Sequence, residues 1–175
     1  VYRRGNKDSY LLVGVYVDDL IITGTHVDSI KEFKAQMQKR FKMSDLGLLS
    51  YYLGIEVKQK EGEISLCQQS YAAKILEEAG MDGCNSCHTP TECRLKLRKE
   101  DGSKPCDATL YRSVIGSLRY LVHTRPDIAH AVGIVSRFME NPSNDHWTAV
   151  KQILRYDQGT KHYGCHYKAG TGDAA

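Results

Sequence analysis

Two adjacent aspartates, Asp18 and Asp19, lie between two short apolar runs at residues 11–15 and 20–24. Both runs are rich in β-branched residues and have the length of buried strands. The sequence therefore predicts an antiparallel hairpin over residues 10–24, with Asp18 at or beside its tip. Carboxylates on a rigid turn can bind Mg²⁺, which prefers hard oxygen ligands. A solvated turn explains the same pair without any chemistry, because Asp is common in turns for backbone reasons.

A second group with chemical potential is Cys84, Cys87 and His88, with Cys93 nearby. Two cysteines separated by two residues and followed by His have the spacing of a c-type haem attachment site, and also of half a zinc site. Haem attachment requires export, and the opening residues do not resemble a secretory leader. Reduced loop cysteines in a cytosolic or nuclear setting are the simpler interpretation. A metal-binding or redox module stays open as an alternative.

The charge balance gives only a mild indication of partners. The chain has 24 basic and 21 acidic residues, for a net charge of +3. Clusters of basic residues can pair with phosphates, although a solvated surface explains any single lysine equally well. The apolar runs are too short to span a bilayer, so we expect no membrane partner. The two clusters are Lys31, Lys34, Lys39, Arg40 and Lys42, and Arg94, Lys96, Arg98, Lys99 and Lys104.

The elements that must position these groups follow from apolar spacing. Helical spacing of Ile30, Phe33, Met37 and Phe41 predicts an amphipathic helix. Its start is predicted from a capping box, Ser29 with Glu32. Residues 51–57 are predicted to form a strand, a turn follows at residues 61–62, and residues 64–67 form a second strand. The next helix contains Tyr71, Ile75 and Leu76 and ends near Gly80.

Periodicity disappears between Asp82 and Pro105, and the chain then becomes helical. A segment of this length without periodicity usually marks a functional or linking element. We therefore predict a first subdomain at residues 1–81, a linker at 82–106 and a helical region at 107–175. The helical region should contain three helices, with Pro126 in the first turn of the second, and a strand at residues 163–167. The predicted core positions are Tyr111, Val114, Ile115, Leu118, Leu121, Val122, Ile128, Ala131, Val132, Val135, Phe138, Trp147, Val150 and Leu154.

In this order, the motifs resemble the reverse transcriptase of copia-type LTR retrotransposon Pol polyproteins. The resemblance covers residues 10–168, nearly the whole chain. It rests on residues 12–24, which include Tyr16-Val17-Asp18-Asp19, and on residues 46–47, 52–57, 111–118, 124–128, 136–139 and 146–147.

The resemblance implies an α+β fold. Residues 1–81 would be part of a polymerase palm, made of β-hairpins plus a helix, and residues 107–175 a helical thumb with the start of the connection region. Asp18 and Asp19 match the catalytic, metal-binding carboxylates. Tyr16 and Val17 match the residues beside the primer end and the incoming nucleotide. The hairpin that grips the primer is matched by Tyr52, Leu53, Gly54 and Ile55.

The implied activity is that of an RNA-directed DNA polymerase, a nucleotidyltransferase that uses Mg²⁺, or alternatively Mn²⁺, for in-line phosphoryl transfer. The implied partners in the parent are an RNA template, a DNA primer and deoxynucleoside triphosphates. The rest of the Pol polyprotein, with the upstream palm and fingers and the downstream RNase H, would complete the enzyme. The parent would act in a cytoplasmic virus-like particle and in the nucleus.

Two departures from the family pattern lead to further expectations. The family's first catalytic Asp lies upstream of the hairpin, so we expect this chain to lack it, together with the fingers, and to be inactive alone. Asp157 occupies a position that is usually apolar in the family, which is consistent with decay of the element. A non-catalytic nucleic-acid-binding or host-adopted module with the palm–thumb shape is therefore the alternative function.

Overall fold

The computed structural model describes residues 1–100 and 102–170 and has a mixed α+β fold. Its described part contains two small antiparallel sheets and five α-helices, as the predicted fold class requires. The chain divides into two compact units, Val1–Leu49 and Ser50–Ala175. None of the helices in the described ranges combines the length and the apolar character that a membrane crossing requires.

The first unit is a three-stranded sheet with one helix. The strands are β1 (Tyr2–Gly5), β2 (Tyr10–Tyr16) and β3 (Asp19–Gly24), in the order β1-β2-β3, and the helix is α1 (Val27–Arg40). The hairpin predicted over residues 10–24 is confirmed, and β1 was not predicted. Leu11 and Val13 are buried and line a cavity of about 340 Å³ together with Phe33 and Met37 of α1. The helix therefore covers one face of the hairpin.

The predicted start of α1 is wrong. The helix begins at Val27, with His26 at the N-cap position, so Ser29 lies inside the first turn rather than at the cap. The side chain of Glu32 accepts a hydrogen bond from Gln36 Nε2 at 3.1 Å, one turn further along the same helix. Asp28 in the first turn and Lys39 in the last turn instead give the helix favourable interactions with its dipole.

The second unit combines a four-stranded sheet with four helices. The strands run in the order β4-β5-β6-β7, and all neighbours are antiparallel. The strand predicted at residues 163–167 is confirmed as β7, which pairs with β6. The strands are β4 (Tyr51–Tyr52), β5 (Ile55–Lys60), β6 (Glu63–Cys67) and β7 (Gly164–Lys168). The helices are α2 (Gln69–Glu78), α3 (Ala108–Leu121), α4 (Ala129–Val135) and α5 (Asn144–Thr160).

The four helices of the second unit share one apolar core. Most positions of the stripes predicted from helical spacing are buried there, whereas Val122 and Trp147 are only partly buried. Turns of 3₁₀ helix at Pro126–Ile128 and Ser136–Phe138 flank α4. The Asp107 side chain caps α3 by accepting from the amides of Thr109 and Leu110. Such caps satisfy amides that a helix leaves without internal partners.

A buried polar network crosses this core and gives Asp157, whose interpretation as decay stays a prediction, a local structural role. Arg125 is almost fully buried, and its Nη1 donates to Asp157 Oδ1 at 2.9 Å. The same nitrogen donates to the Thr160 carbonyl, and Nη2 donates to Asp127 Oδ2 at 2.8 Å. Asp157 is thus the partner of a buried guanidinium, since an unpaired buried charge is costly. The network ties the turn before α4 to the end of α5.

The segment between α2 and α3 contains neither helix nor strand within residues 82–100 and 102–106. It belongs to the second unit, where Leu95 and Leu97 pack against the helical core. The domain boundary placed at 82–106 therefore stays a prediction, while the structural division lies between Leu49 and Ser50. The final residues of the predicted helical region, 171–175, lie outside the described residues.

Candidate functional site

The predicted catalytic pair is presented by a two-residue turn. Tyr16 and Asp19 pair across the hairpin, which leaves Val17 and Asp18 as the turn residues. Asp18 therefore lies at the tip of the hairpin, as predicted. Asp19 is the first residue of β3 and shares a face with Tyr16, because directly opposite residues of an antiparallel pair point the same way. Both carboxylates are exposed to solvent.

The backbone of this turn is strained at Val17. Val17 has φ 54°, a left-handed conformation that is unusual for a β-branched residue. A positive φ at only the first turn position is the pattern of a type II′ turn, which normally has Gly there. The Val17 side chain is 84% exposed, so the conformation is not compensated by burial. Strain of this kind concentrates at functional sites, where surrounding structure enforces it.

The alternation of side chains gives the hairpin two different faces. Leu11 and Val13 lie on the face covered by α1, and Tyr16 and Asp19 lie on the other. The Asp19 carboxylate and the Tyr16 ring are thereby kept on the face opposite the helix. A ligand could approach this face without displacing α1.

The second predicted site, Tyr52 to Ile55, is a tight turn rather than part of one strand. The prediction of a continuous strand over residues 51–57 is wrong, because Tyr52 and Ile55 pair with each other across the β4–β5 hairpin. Leu53 has φ 49° and Gly54 has φ 79°, the pattern of a type I′ turn. A tight turn at this position is compatible with the resemblance to a primer-gripping hairpin.

Tyr120 of α3 holds the tip of this second hairpin. Its hydroxyl donates to the Leu53 carbonyl. Its ring meets the Tyr71 ring edge-on, with centroids 5.3 Å apart. Tyr120 therefore connects α2, α3 and the β4–β5 turn. Tyr120 was not predicted as a site residue, because it lies outside the apolar stripe of α3 and no local pattern indicates its contact with Leu53.

The two predicted sites belong to different compact units. Tyr16, Val17, Asp18 and Asp19 lie together in Val1–Leu49, and Tyr52 to Ile55 lie in Ser50–Ala175. Asp18 and Asp19 have the correct donor type for Mg²⁺, since they offer exposed carboxylate oxygens. Among residues 1–100 and 102–170, no three His, Cys, Asp or Glu side chains are grouped to hold a metal ion. The pair therefore fits part of a magnesium site.

The cysteine cluster does not have the geometry of a metal centre. The Cys87 thiol donates to the carbonyls of Thr89, at 3.3 Å, and Gln152, at 3.4 Å, so its sulfur contacts the protein backbone on both sides. Burial raises the pKa of the Cys84 thiol, which disfavours the thiolate that metal binding needs. The absence of a three-ligand group within the described ranges applies here as well. These contacts give the cluster a packing role between the loop and α5.

Comparison with known proteins identifies the chain's family. The family model described as reverse transcriptase (RNA-dependent DNA polymerase) matches residues 1–93. No solved structure gives a significant match.

Three relatives illustrate the range of the similarity. The chain is 38% identical over 170 residues to the retrovirus-related Pol polyprotein from transposon RE2 of Arabidopsis thaliana, covering 97% of this chain and 12% of that protein. It is 39% identical over 172 residues to the Pol polyprotein from transposon TNT 1-94 of Nicotiana tabacum, covering 91% and 13%. An uncharacterized mitochondrial protein of Arabidopsis thaliana is 38% identical over 155 residues, with 89% and 63% coverage.

The chain thus spans about an eighth of the length of the two Pol polyproteins. The hairpin with Tyr16-Val17-Asp18-Asp19 lies inside the range that the family model matches. The chain belongs to the reverse transcriptase (RNA-dependent DNA polymerase) family found in the Pol polyproteins of copia-type retrotransposons.

Proposed function

We propose that this chain supplies part of the palm and the thumb of a reverse transcriptase that copies RNA into DNA in its intact parent polyprotein. The observation that carries the proposal is the β2–β3 turn, which displays Asp18 at its tip and Asp19 beside it in a chain of this family. In this assignment, residues 1–81 are part of the palm. Residues 107–175 are the thumb and the start of the connection region.

Asp18 and Asp19 are the proposed metal-binding carboxylates. When bound, Mg²⁺ or Mn²⁺ would activate the primer hydroxyl and neutralise charge on the triphosphate. Tyr16 lies on the same face as Asp19, and Val17 is the exposed neighbour of Asp18. These two residues are proposed to border the primer end and the incoming nucleotide. The strained turn would fix the two carboxylates relative to this surface.

The β4–β5 turn is the proposed contact with the primer strand. Its tip residues, Leu53 and Gly54, are held by the Tyr120 hydroxyl, which limits the motion of the turn. A restrained turn loses less conformational entropy when it binds a nucleic-acid strand. Tyr120 is proposed as a positioning residue for this turn.

The proposed partners are the RNA template, the DNA primer, deoxynucleoside triphosphates and the remainder of the Pol polyprotein. The parent would act in a cytoplasmic virus-like particle and in the nucleus. The described residues offer two clustered carboxylates at the hairpin and no three-ligand group, so we expect the 175-residue chain to be inactive alone.

Primer extension tests this proposal. The parent polymerase is rebuilt with its upstream palm and fingers, and extension is measured with Mg²⁺ and with Mn²⁺. We expect extension by the rebuilt protein, none by the 175-residue chain, and severe loss in Asp18→Asn. Asp28→Asn is the matched control, because Asp28 is an exposed carboxylate on the same unit. Full activity in Asp18→Asn would overturn the catalytic assignment.

One observation favours a second candidate, a non-catalytic nucleic-acid-binding or host-adopted module. The match to the uncharacterized mitochondrial protein covers 63% of that protein, so the shared region forms most of its length. Failure of the rebuilt parent to extend any primer, with nucleic-acid binding retained, would support this candidate.

A further inference from the structure

Residues 94–98 form a strap on the second unit in which apolar and basic side chains alternate. Leu95 and Leu97 are half-buried against the helical core, whereas Arg94, Lys96 and Arg98 are exposed. Arg94 lies in a turn with φ 64°, and residues 95–98 follow it without helix or strand pairing. The strap therefore has an inner apolar face and an outer face that carries three positive charges.

The strap is fixed at its C-terminal side by His146 of α5. His146 Nε2 donates to the Arg98 carbonyl at 2.9 Å, and Nδ1 accepts from the Ser143 amide at 3.0 Å. The buried ring also stacks on Phe138, with centroids 3.9 Å apart. Both ring nitrogens thus have hydrogen-bond partners in the protein.

A second attachment follows a few residues later. The Asn144 amide donates to the Lys104 carbonyl at 2.9 Å, and the Cys106 amide donates to the Pro142 carbonyl at 3.1 Å. The basic side chains therefore project from a backbone that is already ordered. Such a surface avoids part of the entropic cost of binding.

The outer charges of the strap have no ion-pair partner among the residues that the structure describes. Within residues 1–100 and 102–170, no ion pair involves Arg94, Lys96 or Arg98. Lys99 pairs with Glu140 at 3.5 Å, but both side chains are largely exposed, so this pair contributes little.

We propose that this strap binds the phosphodiester backbone of a nucleic acid, at a site separate from the catalytic hairpin. The identification of the partner as primer–template rests on the proposed function. A membrane surface is less suitable, because the apolar residues between the charges face inward and offer nothing to insert into a bilayer. The strap would hold the nucleic acid by charge alone, without reading its sequence.

Binding of a fluorescein-labelled RNA/DNA hybrid of about 20 base pairs to the 175-residue chain tests the proposal. The test variant is Arg94→Gln/Lys96→Gln/Arg98→Gln. The control, Lys60→Gln/Lys74→Gln/Lys151→Gln, removes the same charge from other exposed positions of the second unit. Circular dichroism and thermal unfolding verify that both variants fold. Dissociation constants are measured by anisotropy between about 50 and about 200 mM salt.

We expect the strap variant to lose roughly tenfold or more in affinity at low salt and to reduce the salt slope by about 2–3. The control variant should show a clearly smaller loss of affinity and a clearly smaller change in salt slope. Equal losses in the two variants would overturn the proposal, because they would reflect net charge alone. Unchanged binding by the strap variant would also overturn it. So would strap-dependent binding to phosphatidylserine/phosphatidylcholine vesicles without binding to the hybrid.

This assay requires no catalysis, so its failure is distinguishable from failure of the proposed function. Asp18→Asn should retain the affinity of the chain for the hybrid, since Asp18 lies in the other unit. If the strap variant binds normally while Asp18→Asn abolishes extension by the rebuilt parent, only the strap proposal fails. If the strap variant loses binding while Asp18→Asn extends normally, only the catalytic assignment fails.

Discussion

Arg125 and Asp157 form a buried ion pair, with 2.9 Å between Nη1 and Oδ1, that spans 32 residues of sequence. The other guanidinium nitrogens donate to Asp127 and Thr160, so all five N–H groups of Arg125 have acceptors. A planar, fully donating guanidinium is the geometry that makes Arg suitable for such networks. Arg125 therefore links the turn before α4 to the last turn of α5.

We predict that Arg125→Met strongly destabilises the chain, whereas Asp157→Asn is better tolerated. Removing the guanidinium leaves Asp157 buried without its cation, which costs about 3–5 kcal/mol in comparable pairs. Replacing Asp157 leaves Arg125 paired with Asp127. The free energy of unfolding, measured in urea, tests the difference. Arg119→Met is the control, because Arg119 is exposed on α3. An Arg125→Met variant as stable as this control would contradict the prediction.

The pH dependence of stability should identify Asp157 specifically. Burial raises its pKa to about 6 despite the nearby Arg125, and its Oδ2 has no partner among the described residues. The folded state therefore binds the proton more tightly than the unfolded state, whose Asp has a pKa near 3.8. The stabilisation that follows from this pKa difference is fully present below about pH 4. It decreases by up to about 3 kcal/mol as pH rises to about 6.

Asp157→Asn should remove that decline between about pH 4 and about pH 6. Urea unfolding of wild type and variant across this range is the measurement, and Asp28→Asn on the exposed surface is the control. The ionisation of Asp127 changes stability at lower pH and in the opposite direction. Partial burial favours a higher pKa for Asp127, but Arg125 holds this pKa below its usual range. A wild-type stability that does not fall across this window would contradict the assignment.

Leu53→Asn should stabilise the second unit by roughly 1 kcal/mol or less. Leu53 adopts φ 49° in a type I′ turn, where Asn before Gly is preferred. The substitution keeps the carbonyl that Tyr120 binds, and the Leu53 side chain is already 42% exposed. Thermal and urea unfolding test the effect, with Leu48→Asn as the control at a 72% exposed leucine. Destabilisation greater than in Leu48→Asn would indicate that burial of Leu53 outweighs its strain.

In the rebuilt parent, Asp18 and Asp19 should not be equivalent. Asp18 is a turn residue at the tip, whereas Asp19 begins β3 beside Tyr16, so the two carboxylates start from different positions. We expect Asp18→Asn to slow extension on the order of a thousandfold or more, equivalent to about 4 kcal/mol of barrier. Asp19→Asn should cost less. Single-turnover rates of both variants decide the order, and a larger loss at Asp19 would reverse it.

The sequence predicted those elements whose pattern is local. The hairpin over residues 10–24 follows from two apolar runs around Asp18 and Asp19, and the core helices follow from helical spacing. Strand β1 was missed because its residues, Tyr2–Gly5, are all exposed and show no alternation. It forms because its backbone pairs with β2. The start of α1 was misplaced because His26 is not a preferred capping residue.

The remaining errors concern contacts between distant residues. The Leu53-Gly54 turn lies within a run of strand-forming residues, and Leu is not a turn former, so only the pairing of Tyr52 with Ile55 reveals it. Asp157 could not be matched to Arg125, because nothing local distinguishes a buried partner from a lost apolar residue. The positions of Asp18 and Asp19 could be predicted, but their catalytic role rests on family resemblance.

The pairing of β6 with β7 constrains how the chain can fold during synthesis. Glu63 pairs with Lys168, so one edge of β6 stays unpaired until a strand about 100 residues later in the chain has been synthesised. At roughly 5–20 residues per second, the ribosome needs about 5–20 s to deliver it. Until then, the exposed edge of Glu63–Cys67 can form backbone hydrogen bonds with a strand of another protein, including another nascent chain. The speed of translation between β6 and β7 thereby sets how long the emerging chain is vulnerable to aggregation.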